Sequence, residues 1–233
     1  MTFVVTAGPT REHLDPVRFL SNPSTGKMGF AVAAAAAKRL HPVTLVAGPV
    51  SLPTPRGVRR VDVVNAREML AAVEAAVRDA AGRGEAVVVV ATAAVADWRP
   101  AGCAAKKLKK SRIGGTLRLV RNPDILKTLS RLPPGVRPML VGFAAETGDA
   151  VAEARRKCRE KHLAFIVAND VTERGSGFGA DTDRVTFVFP DGRAQPLPMM
   201  TKRAVACRIV AEVMRIGQKK GVKRKLDGAK QGV

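Results

Sequence analysis

The sequence predicts an α/β protein with a Rossmann-like three-layer αβα fold around a mostly parallel central sheet. Short apolar runs, typical of buried strands, alternate along the chain with longer segments whose apolar residues recur at helical spacing. One run, Val87–Val90, is four consecutive valines, which indicates a strand buried on both faces. Because a strand, a helix and a second strand in this order form a parallel pair, the alternation favours a parallel sheet covered by helices.

The predicted strands are short runs that are either continuously apolar or alternate between apolar and polar residues. In chain order they cover residues 3–5, 42–50, 58–64, 86–98, 116–121, 139–147 and 164–170, followed by a hairpin about Asp191–Gly192. The third of these alternates most clearly, so we expect it near an edge of the sheet.

The predicted helices cover residues 26–40, 66–83, 122–132, a segment within 148–165, and 201–217. The first is rich in alanine, which is the strongest helix former. Asn65 is the expected N-cap of the second helix, and Asn122 that of the third, where Pro123 would occupy the first helical position and Asp124 the first turn.

The composition argues against several classes of protein. No apolar run approaches the roughly 18 residues of a membrane-spanning helix, and the sequence begins directly with a predicted strand, so we expect neither a membrane segment nor a signal peptide. The cysteines, Cys103, Cys158 and Cys207, share no metal-binding or redox spacing. We therefore expect a reduced, cytoplasmic setting and no structural metal site.

The formal net charge of +20 fits either a polyanionic substrate or nucleic acid. Basic residues are spread over the whole chain and stacking aromatic residues are scarce, so nucleic acid is the weaker of the two partners. Residues 218–233 are basic without apolar periodicity, so we predict one domain over 1–217 and a disordered basic tail over 218–233. A nucleic-acid or import role for this tail is the alternative to a solvated one.

A long polar loop, residues 6–27, separates the first strand from the first helix, and a loop of this length is more often functional than structural. Its end, Asn22–Lys27, offers hydroxyls and backbone N–H groups at a helix N-terminus, which favours a bound anion. The residues lack the spacing of a P-loop or of a dinucleotide-binding turn. An ordinary N-cap and turn would use the same residue types.

Ligands of such sheets bind beyond the carboxyl ends of the strands. That rule predicts that Gly8–Thr10, Gly48 and Ala91–Ala93 lie along one edge of the sheet. Asp97 follows close to this edge and offers a carboxylate suited to a ribose diol. A role for Asp97 as a turn or N-cap residue is the alternative.

Two groups of basic residues could bind phosphates. The segment 101–115 has five lysines and arginines within seven residues, which fits either a solvated loop or a basic flap that closes over phosphates. Lys157 and Lys161 lie four residues apart on one predicted helix face, where like charges repel and an anion between them would relieve the repulsion. The alternative is a solvated face on which Glu153 pairs with Lys157.

Together these segments resemble one family, phosphopantothenoylcysteine synthetase, the ligase of coenzyme A biosynthesis. The resemblance covers roughly residues 2–215 and rests on the motifs TAGPTRE, DPVRFLSNPSTGKMGFAVA, TLVAGPVSLP, AAVAD, KKLKK, NPDI, VGFAAET, ARRKCREK and VANDV, in order and at compatible spacing. Within the family the chain is most similar to the bacterial form that uses cytidine triphosphate.

The resemblance implies a two-step reaction. The carboxylate of 4′-phosphopantothenate attacks the α-phosphorus of CTP, releasing pyrophosphate and forming an acyl-cytidylate. The amine of L-cysteine then displaces CMP. Cations and Mg²⁺ are needed because the two substrates are both anions. No protein ligand is predicted for Mg²⁺, which is expected to enter on the nucleotide phosphates.

The resemblance also assigns site residues. Asn22 and Lys107 are the expected catalytic residues, and Lys106 competes with Lys107 because the two lysines adjoin. The expected nucleotide contacts are Ala91, Thr92, Ala93, Asp97, Lys107, Pro123, Asp124, Ile125, Leu126, Phe143, Lys157 and Lys161. The expected substrate contacts are Arg18, Asn22, Ser24, Thr25, Gly26 and Lys27.

The family further implies a homodimer, with the flap and a small β extension at the subunit interface. The flavin-dependent decarboxylase that often precedes this domain is not seen in the sequence, so we expect a separate decarboxylase and no flavin. The alternatives are an ATP-using ligase of the same family and an NAD(P)-dependent Rossmann oxidoreductase. The oxidoreductase would require a glycine spacing and an acidic residue after the second strand that the sequence lacks.

Overall fold

The structure is a computed structural model that describes residues 1–109, 115–147, 150–170 and 172–230, with side chains as far as residue 219. Its helices are α1 (Lys27–Ala37), α2 (Ala66–Gly82), α3 (Ile125–Ser130), α4 (Ala150–Glu160) and α5 (Lys202–Lys230). Its strands are β1 (Thr2–Ala7), β2 (Arg11–His13), β3 (Phe19–Ser21), β4 (Val43–Ala47), β5 (Arg59–Asp62), β6 (Val87–Ala91), β7 (Trp98–Pro100), β8 (Leu119–Arg121), β9 (Met139–Glu146), β10 (Phe165–Asp170), β11 (Thr182–Asp183), β12 (Thr186–Val188), β13 (Ala194–Pro196) and β14 (Met200–Thr201).

An eight-stranded sheet in the order β13-β12-β10-β9-β6-β1-β4-β5 forms the centre of the fold. Neighbouring strands from β10 to β5 are parallel, and β12 and β13 add an antiparallel hairpin at the opposite edge. The prediction of a mostly parallel sheet is confirmed. The predictions of an edge position for β5 and of a hairpin about Asp191–Gly192 are also confirmed.

Two hydrophobic clusters cover the two faces of this sheet. Along β1, Phe3 and Val5 pack into the cluster that contains Phe30 of α1 and Val205 of α5. Val4 points the other way, into the cluster formed with α2, α3 and α4. Because successive side chains of a strand face opposite sides, the continuous apolar runs supply both clusters, and the three-layer arrangement is confirmed.

The long loop between β1 and α1 contains a short hairpin that the sequence analysis missed. Its strands β2 and β3 are antiparallel and pair Arg11 with Ser21. A second small sheet pairs β7 with β8, where Trp98 lies opposite Arg121. These hairpins are candidates for the expected β extension, and their place at a subunit interface stays a prediction.

The start of α3 differs from the prediction. Asp124, rather than Asn122, is the N-cap, and its carboxylate accepts a hydrogen bond from the Lys127 N–H at 3.0 Å. The Asn122 amide instead donates to the Ala96 carbonyl at 2.8 Å, which ties this turn to the segment between β6 and β7. The predicted cap of α2 is confirmed, since Asn65 accepts from the Glu68 N–H at 3.0 Å.

The last helix extends past the end predicted at Gly217, to Lys230. The backbone over 218–230 is therefore helical where we expected disorder. Lysine and arginine are good helix formers, and adding residues to an existing helix avoids the cost of nucleation. Residues 231–233 lie outside the described part, and the division into a domain and a tail at residue 217 stays a prediction. Within the described residues, no helix is both long and apolar enough to cross a membrane.

Candidate active site

A cavity of about 560 Å³ lies at the carboxyl ends of the central strands. Among its lining residues are nearly all of the predicted site residues: Asn22, Ser24, Thr25, Gly26, Lys27, Ala91, Thr92, Ala93, Asp97, Pro123, Asp124, Ile125, Leu126, Phe143, Lys157 and Lys161. A larger open groove, of about 1290 Å³, lies at the other ends of the strands, beside Met1 and Met139, and contains none of them. The smaller cavity is therefore the candidate active site.

Close contacts hold the ends of the central strands together at this edge of the sheet. The Gly48 N–H donates to the Ala7 carbonyl at 2.9 Å, and the Ala94 N–H donates to the Gly8 carbonyl at 2.9 Å. A Cβ atom at Gly48 would lie 1.7 Å from the Pro9 carbonyl oxygen, so only glycine fits there. The predicted meeting of these three segments at one edge is confirmed.

Two lysines on one wall of the cavity are each paired with a carboxylate. Lys157 Nζ lies 2.6 Å from Glu146 and 3.3 Å from Glu153, and Lys161 Nζ lies 2.8 Å from Asp124. Burial disfavours the Lys157 ammonium, yet the hydrogen bonds to Glu146 and Glu153 raise its pKa overall. Burial likewise opposes ionisation of Asp124, but Lys161 and the Lys127 N–H lower the pKa of that carboxyl.

These ion pairs reduce the positive charge that Lys157 and Lys161 can offer to a bound phosphate. The pairing of Glu153 with Lys157, which the sequence analysis gave as the alternative, is present, and Lys157 nevertheless lines the cavity. An arriving phosphate would meet ammonium groups whose charge the carboxylates partly offset. Any anion that binds here must therefore compete with Glu146 and Asp124 for the same N–H donors.

The N-terminus of α1 also faces the cavity. Gly26 is the N-cap with a left-handed φ of 78°, and no side chain caps this helix end. The N–H groups at this terminus can therefore donate to an anion. The Ser24 hydroxyl accepts from the Gly26 N–H at 3.4 Å, as it would in an ordinary turn. Asn22 lies beside them, and its amide donates to the Ala94 and Val95 carbonyls at 3.3 and 3.2 Å.

The comparison with known proteins identifies the family. Residues 1–216 match the model of the DNA/pantothenate metabolism flavoprotein C-terminal domain. The chain belongs to this family.

Two curated relatives of this family member are both named Coenzyme A biosynthesis bifunctional protein CoaBC. The one from Escherichia coli (strain K12) is 46% identical over 217 residues, which make up 92% of this chain and 52% of that protein. The one from Bacillus subtilis (strain 168) is 47% identical over 219 residues, 94% of this chain and 52% of that protein. The chain thus spans about half the length of these relatives.

A solved structure has the same fold. It is the C-terminal domain of a Coenzyme A biosynthesis bifunctional protein CoaBC, with a TM-score of 0.75 and 38% sequence identity. The match covers 94% of this chain and 96% of that chain. The half of CoaBC that this family member resembles is therefore the C-terminal one.

Two predicted site residues, Arg18 and Lys107, do not line the cavity of this family member. The Arg18 guanidinium is paired with Asp15 and donates to the Leu108 carbonyl at 2.9 Å. Lys107 is exposed next to this contact. Lys110 and Arg112, also predicted for the flap, lie outside the described residues.

The sequence analysis missed one wall of the cavity, which includes Asn169, Gly177, Phe178, Asp183 and Lys202. These residues come from the end of β10, the glycine-rich segment after it, and the start of α5. The glycine content of residues 172–183 and the motif VANDV were the available indications. Nothing in the local sequence distinguishes Lys202 from other lysines near helix starts.

The carboxylates of this family member are not arranged as a metal site. In the described ranges, no group of three or more His, Cys, Asp or Glu side chains could hold a metal ion. Asp124 and Glu146 are each within 3 Å of a lysine.

Proposed function

We propose that this chain is a phosphopantothenate–cysteine ligase of coenzyme A biosynthesis. It activates 4′-phosphopantothenate with CTP, releases pyrophosphate and forms an acyl-cytidylate, then transfers the acyl group to L-cysteine to give 4′-phosphopantothenoyl-L-cysteine and CMP. The observation that carries the proposal is the convergence on one cavity of the Asn22–Lys27 segment with Asp97, Lys157 and Lys161.

The first step requires two anions to meet, and the cavity offers groups suited to each. Lys157 and Lys161 supply positive charge for the nucleotide, and the exposed Asp97 carboxylate suits the ribose hydroxyls. The Asn22 amide can hydrogen-bond the acyl carbonyl without adding charge. The uncapped N-terminus of α1 favours a phosphate close to Asn22.

Lys107 is proposed to stabilise the negative charge that develops on the phosphates. Arg18 and Lys107 lie outside the cavity of their own chain, which supports a homodimer in which each subunit completes the site of the other. Mg²⁺ is proposed to enter on the nucleotide phosphates and to offset their charge when bound. We propose no flavin for this chain, a separate decarboxylase as the next enzyme, and a cytoplasmic location.

The test is a ligase assay with purified protein, 4′-phosphopantothenate, L-cysteine, Mg²⁺ and each nucleoside triphosphate in turn. Pyrophosphate release that requires CTP is expected. Release with ATP in place of CTP would move the assignment to the ATP-using form. No release with any nucleotide would overturn the ligase assignment.

Two variants assign the steps. Lys107→Gln is expected to slow pyrophosphate release, because a neutral amide cannot stabilise the phosphate charge. Asn22→Asp is expected to disturb the transfer to cysteine, because a carboxylate repels the acyl-cytidylate. Lys38→Gln, at the distant end of α1, is the matched control and should keep the full rate. If both site variants keep the full rate as well, these two roles are wrong.

A further inference from the structure

Lys202 is a lysine whose side chain lies inside the protein. Only 6% of its surface is exposed, although lysine is rarely buried to this degree without a partner. Its position is the first residue of α5, on the wall of the cavity. Burial lowers the pKa of Lys202 overall. The negative charges of Asp183 and Asp181 oppose this shift, and the charge of Lys27 adds to it. Because burying a charged ammonium group costs free energy, Lys202 needs contacts that stabilise the charge.

The partners of Lys202 are backbone carbonyls of the glycine-rich segment. Nζ donates to the Gly177 carbonyl at 2.6 Å and to the Phe178 carbonyl at 3.4 Å. These carbonyls belong to two of the residues that line the cavity. Hydrogen bonds from a charged donor are stronger than those between neutral groups.

Two further side chains, both at the start of α1, donate hydrogen bonds to the same stretch of backbone. Thr25 Oγ1 donates to the Phe178 carbonyl at 2.7 Å, and Lys27 Nζ donates to the Gly179 carbonyl at 3.1 Å. Three consecutive carbonyls are therefore held by donors from the N-termini of two helices. Lys202 is the only buried donor of the three.

The segment needs such support because its own sequence gives it little rigidity. Gly175 and Gly177 have positive φ values of 87° and 95°, a conformation that glycine adopts readily and loses readily. Acidic groups flank it: Lys27 Nζ lies 2.7 Å from Asp181, and the buried Asp183 accepts from Asn169 at 3.2 Å. These contacts fix the end of the segment, and Lys202, together with Thr25, fixes its middle.

We propose that Lys202 is a positioning residue for the ligase reaction: it holds the backbone of Gly177 and Phe178 in place as a wall of the active-site cavity. This inference rests on the proposed function. Lys202, Gly177 and Phe178 are not among the site residues that the family resemblance assigns. Keeping Gly177 and Phe178 in this position requires a charged hydrogen-bond donor of about the length of lysine at residue 202.

Three variants test this. Lys202→Met keeps the length of the side chain and removes the donor, Lys202→Arg keeps the charge, and Arg203→Met is the control, because Arg203 is the exposed neighbour in the same helical turn. The readouts are hydrogen exchange of the amides over 172–183, the thermal midpoint, and kcat and KM for each substrate of the ligase.

Lys202→Met is expected to speed exchange over 172–183 by about 10- to 100-fold, as the loss of a charged hydrogen bond predicts, and to lower kcat/KM by a similar factor. Lys202→Arg should recover part of both, and Arg203→Met should change neither. If Lys202→Met does not fold, Thr25→Val takes its place in the exchange experiment. This variant removes the other side-chain donor to the Phe178 carbonyl and should also speed exchange over 172–183.

Each other outcome overturns the proposal. Unchanged kcat/KM in Lys202→Met would show that the wall does not need this donor. Lost activity with unchanged exchange would show that Lys202 acts on substrate directly, and faster exchange throughout the chain would show a general structural role. If the wild-type protein is inactive with every nucleotide, the ligase assignment fails, and the exchange data still decide whether Lys202 holds the segment.

Discussion

The backbone N–H of Leu108 donates a hydrogen bond to the carboxylate of Asp15 at 3.2 Å. The same carboxylate accepts from the N–H groups of Val17 and Arg18 at 2.8 and 2.9 Å, and its side chain is fully buried. The Arg18 guanidinium also donates to the Leu108 carbonyl. Asp15 and Arg18 thus hydrogen-bond the backbone N–H and the carbonyl of Leu108, the residue that follows Lys107.

This arrangement predicts that Asp15 acts through Lys107. Asp15→Asn removes the charge that pairs with Arg18, and we expect a loss of about tenfold in kcat/KM, because the geometry next to Lys107 is relaxed. Asp62→Asn is the control, since Asp62 is an exposed carboxylate that pairs with Arg60 at the end of the edge strand β5.

A double-mutant cycle of Asp15→Asn with Lys107→Gln measures whether the two residues are coupled. The double variant should be little worse than Lys107→Gln alone, because Asp15 is expected to affect this step through the position of Lys107. Effects that multiply in full would show that Asp15 and Lys107 act independently, contrary to this prediction.

The central sheet could be predicted from local patterns in the sequence, and most of the cavity residues from the resemblance to the family. Runs such as Val87–Val90 are buried in any parallel sheet, and the rule for strand ends then places Ala91–Ala93 beside Gly8. The pair of Lys157 with Glu153, the alternative drawn from the sequence, follows from the spacing of residues four apart on a helix. The N-cap of α2 follows from an asparagine placed just before a helical pattern.

What could not be predicted depends on contacts between distant parts of the chain. The strands of the β2–β3 hairpin are three residues long, too short to show alternation. Asn122 has the chemistry of an N-cap, but the turn carries its amide to Ala96 instead. Lys202 bonds to a segment that is in no regular element, so neither residue type nor periodicity reveals the contact.

Gly29 predicts a stability effect. A Cβ atom there would lie 2.5 Å from both Ala7 Cβ and Thr92 Oγ1, so α1 would have to move away from the sheet. Gly29→Ala should reduce the free energy of unfolding by about 1–3 kcal/mol, the usual cost of overpacking. Denaturant titration of the purified variant measures this change.

Gly82→Ala is the matched control, because Gly82 is also helical and a Cβ atom there meets nothing within 4 Å. This substitution should leave stability unchanged or raise it by up to about 1 kcal/mol. If both variants behave alike, the close contact of α1 with the ends of β1 and β6 does not restrict residue size.

The cysteines should differ sharply in reactivity. Cys158 is fully buried, and burial raises the pKa of its thiol to about 11. Cys103 and Cys207 are exposed. Because the thiolate is the nucleophile, alkylation of the folded protein at pH 8 should modify Cys103 and Cys207 and leave Cys158 unmodified.

Mass spectrometry of the labelled protein counts the modified thiols. The Cys103→Ser/Cys207→Ser variant should take up no label when folded and one label per chain in denaturant. Rapid labelling of that variant without denaturant would mean that the core around α4 opens readily, in disagreement with the buried position of Cys158.

The pair of Asp124 and Lys161 predicts how stability depends on pH. Folding lowers the pKa of Asp124, despite its partial burial, because Lys161 and the Lys127 N–H favour the ionised carboxylate. A group with a lowered folded pKa contributes stability above its unfolded pKa, about 3.9, and loses that contribution as the pH falls through the folded value.

Asp124→Asn isolates this charge, because asparagine is as good an N-cap as aspartate. At pH 7 the wild type should be more stable by about 0.5–1 kcal/mol, the range for a partly exposed pair. Denaturant titrations between pH 7 and pH 2.5 should show that difference shrinking towards zero below about pH 4, and a difference that stays constant would mean that the ion pair adds no stability.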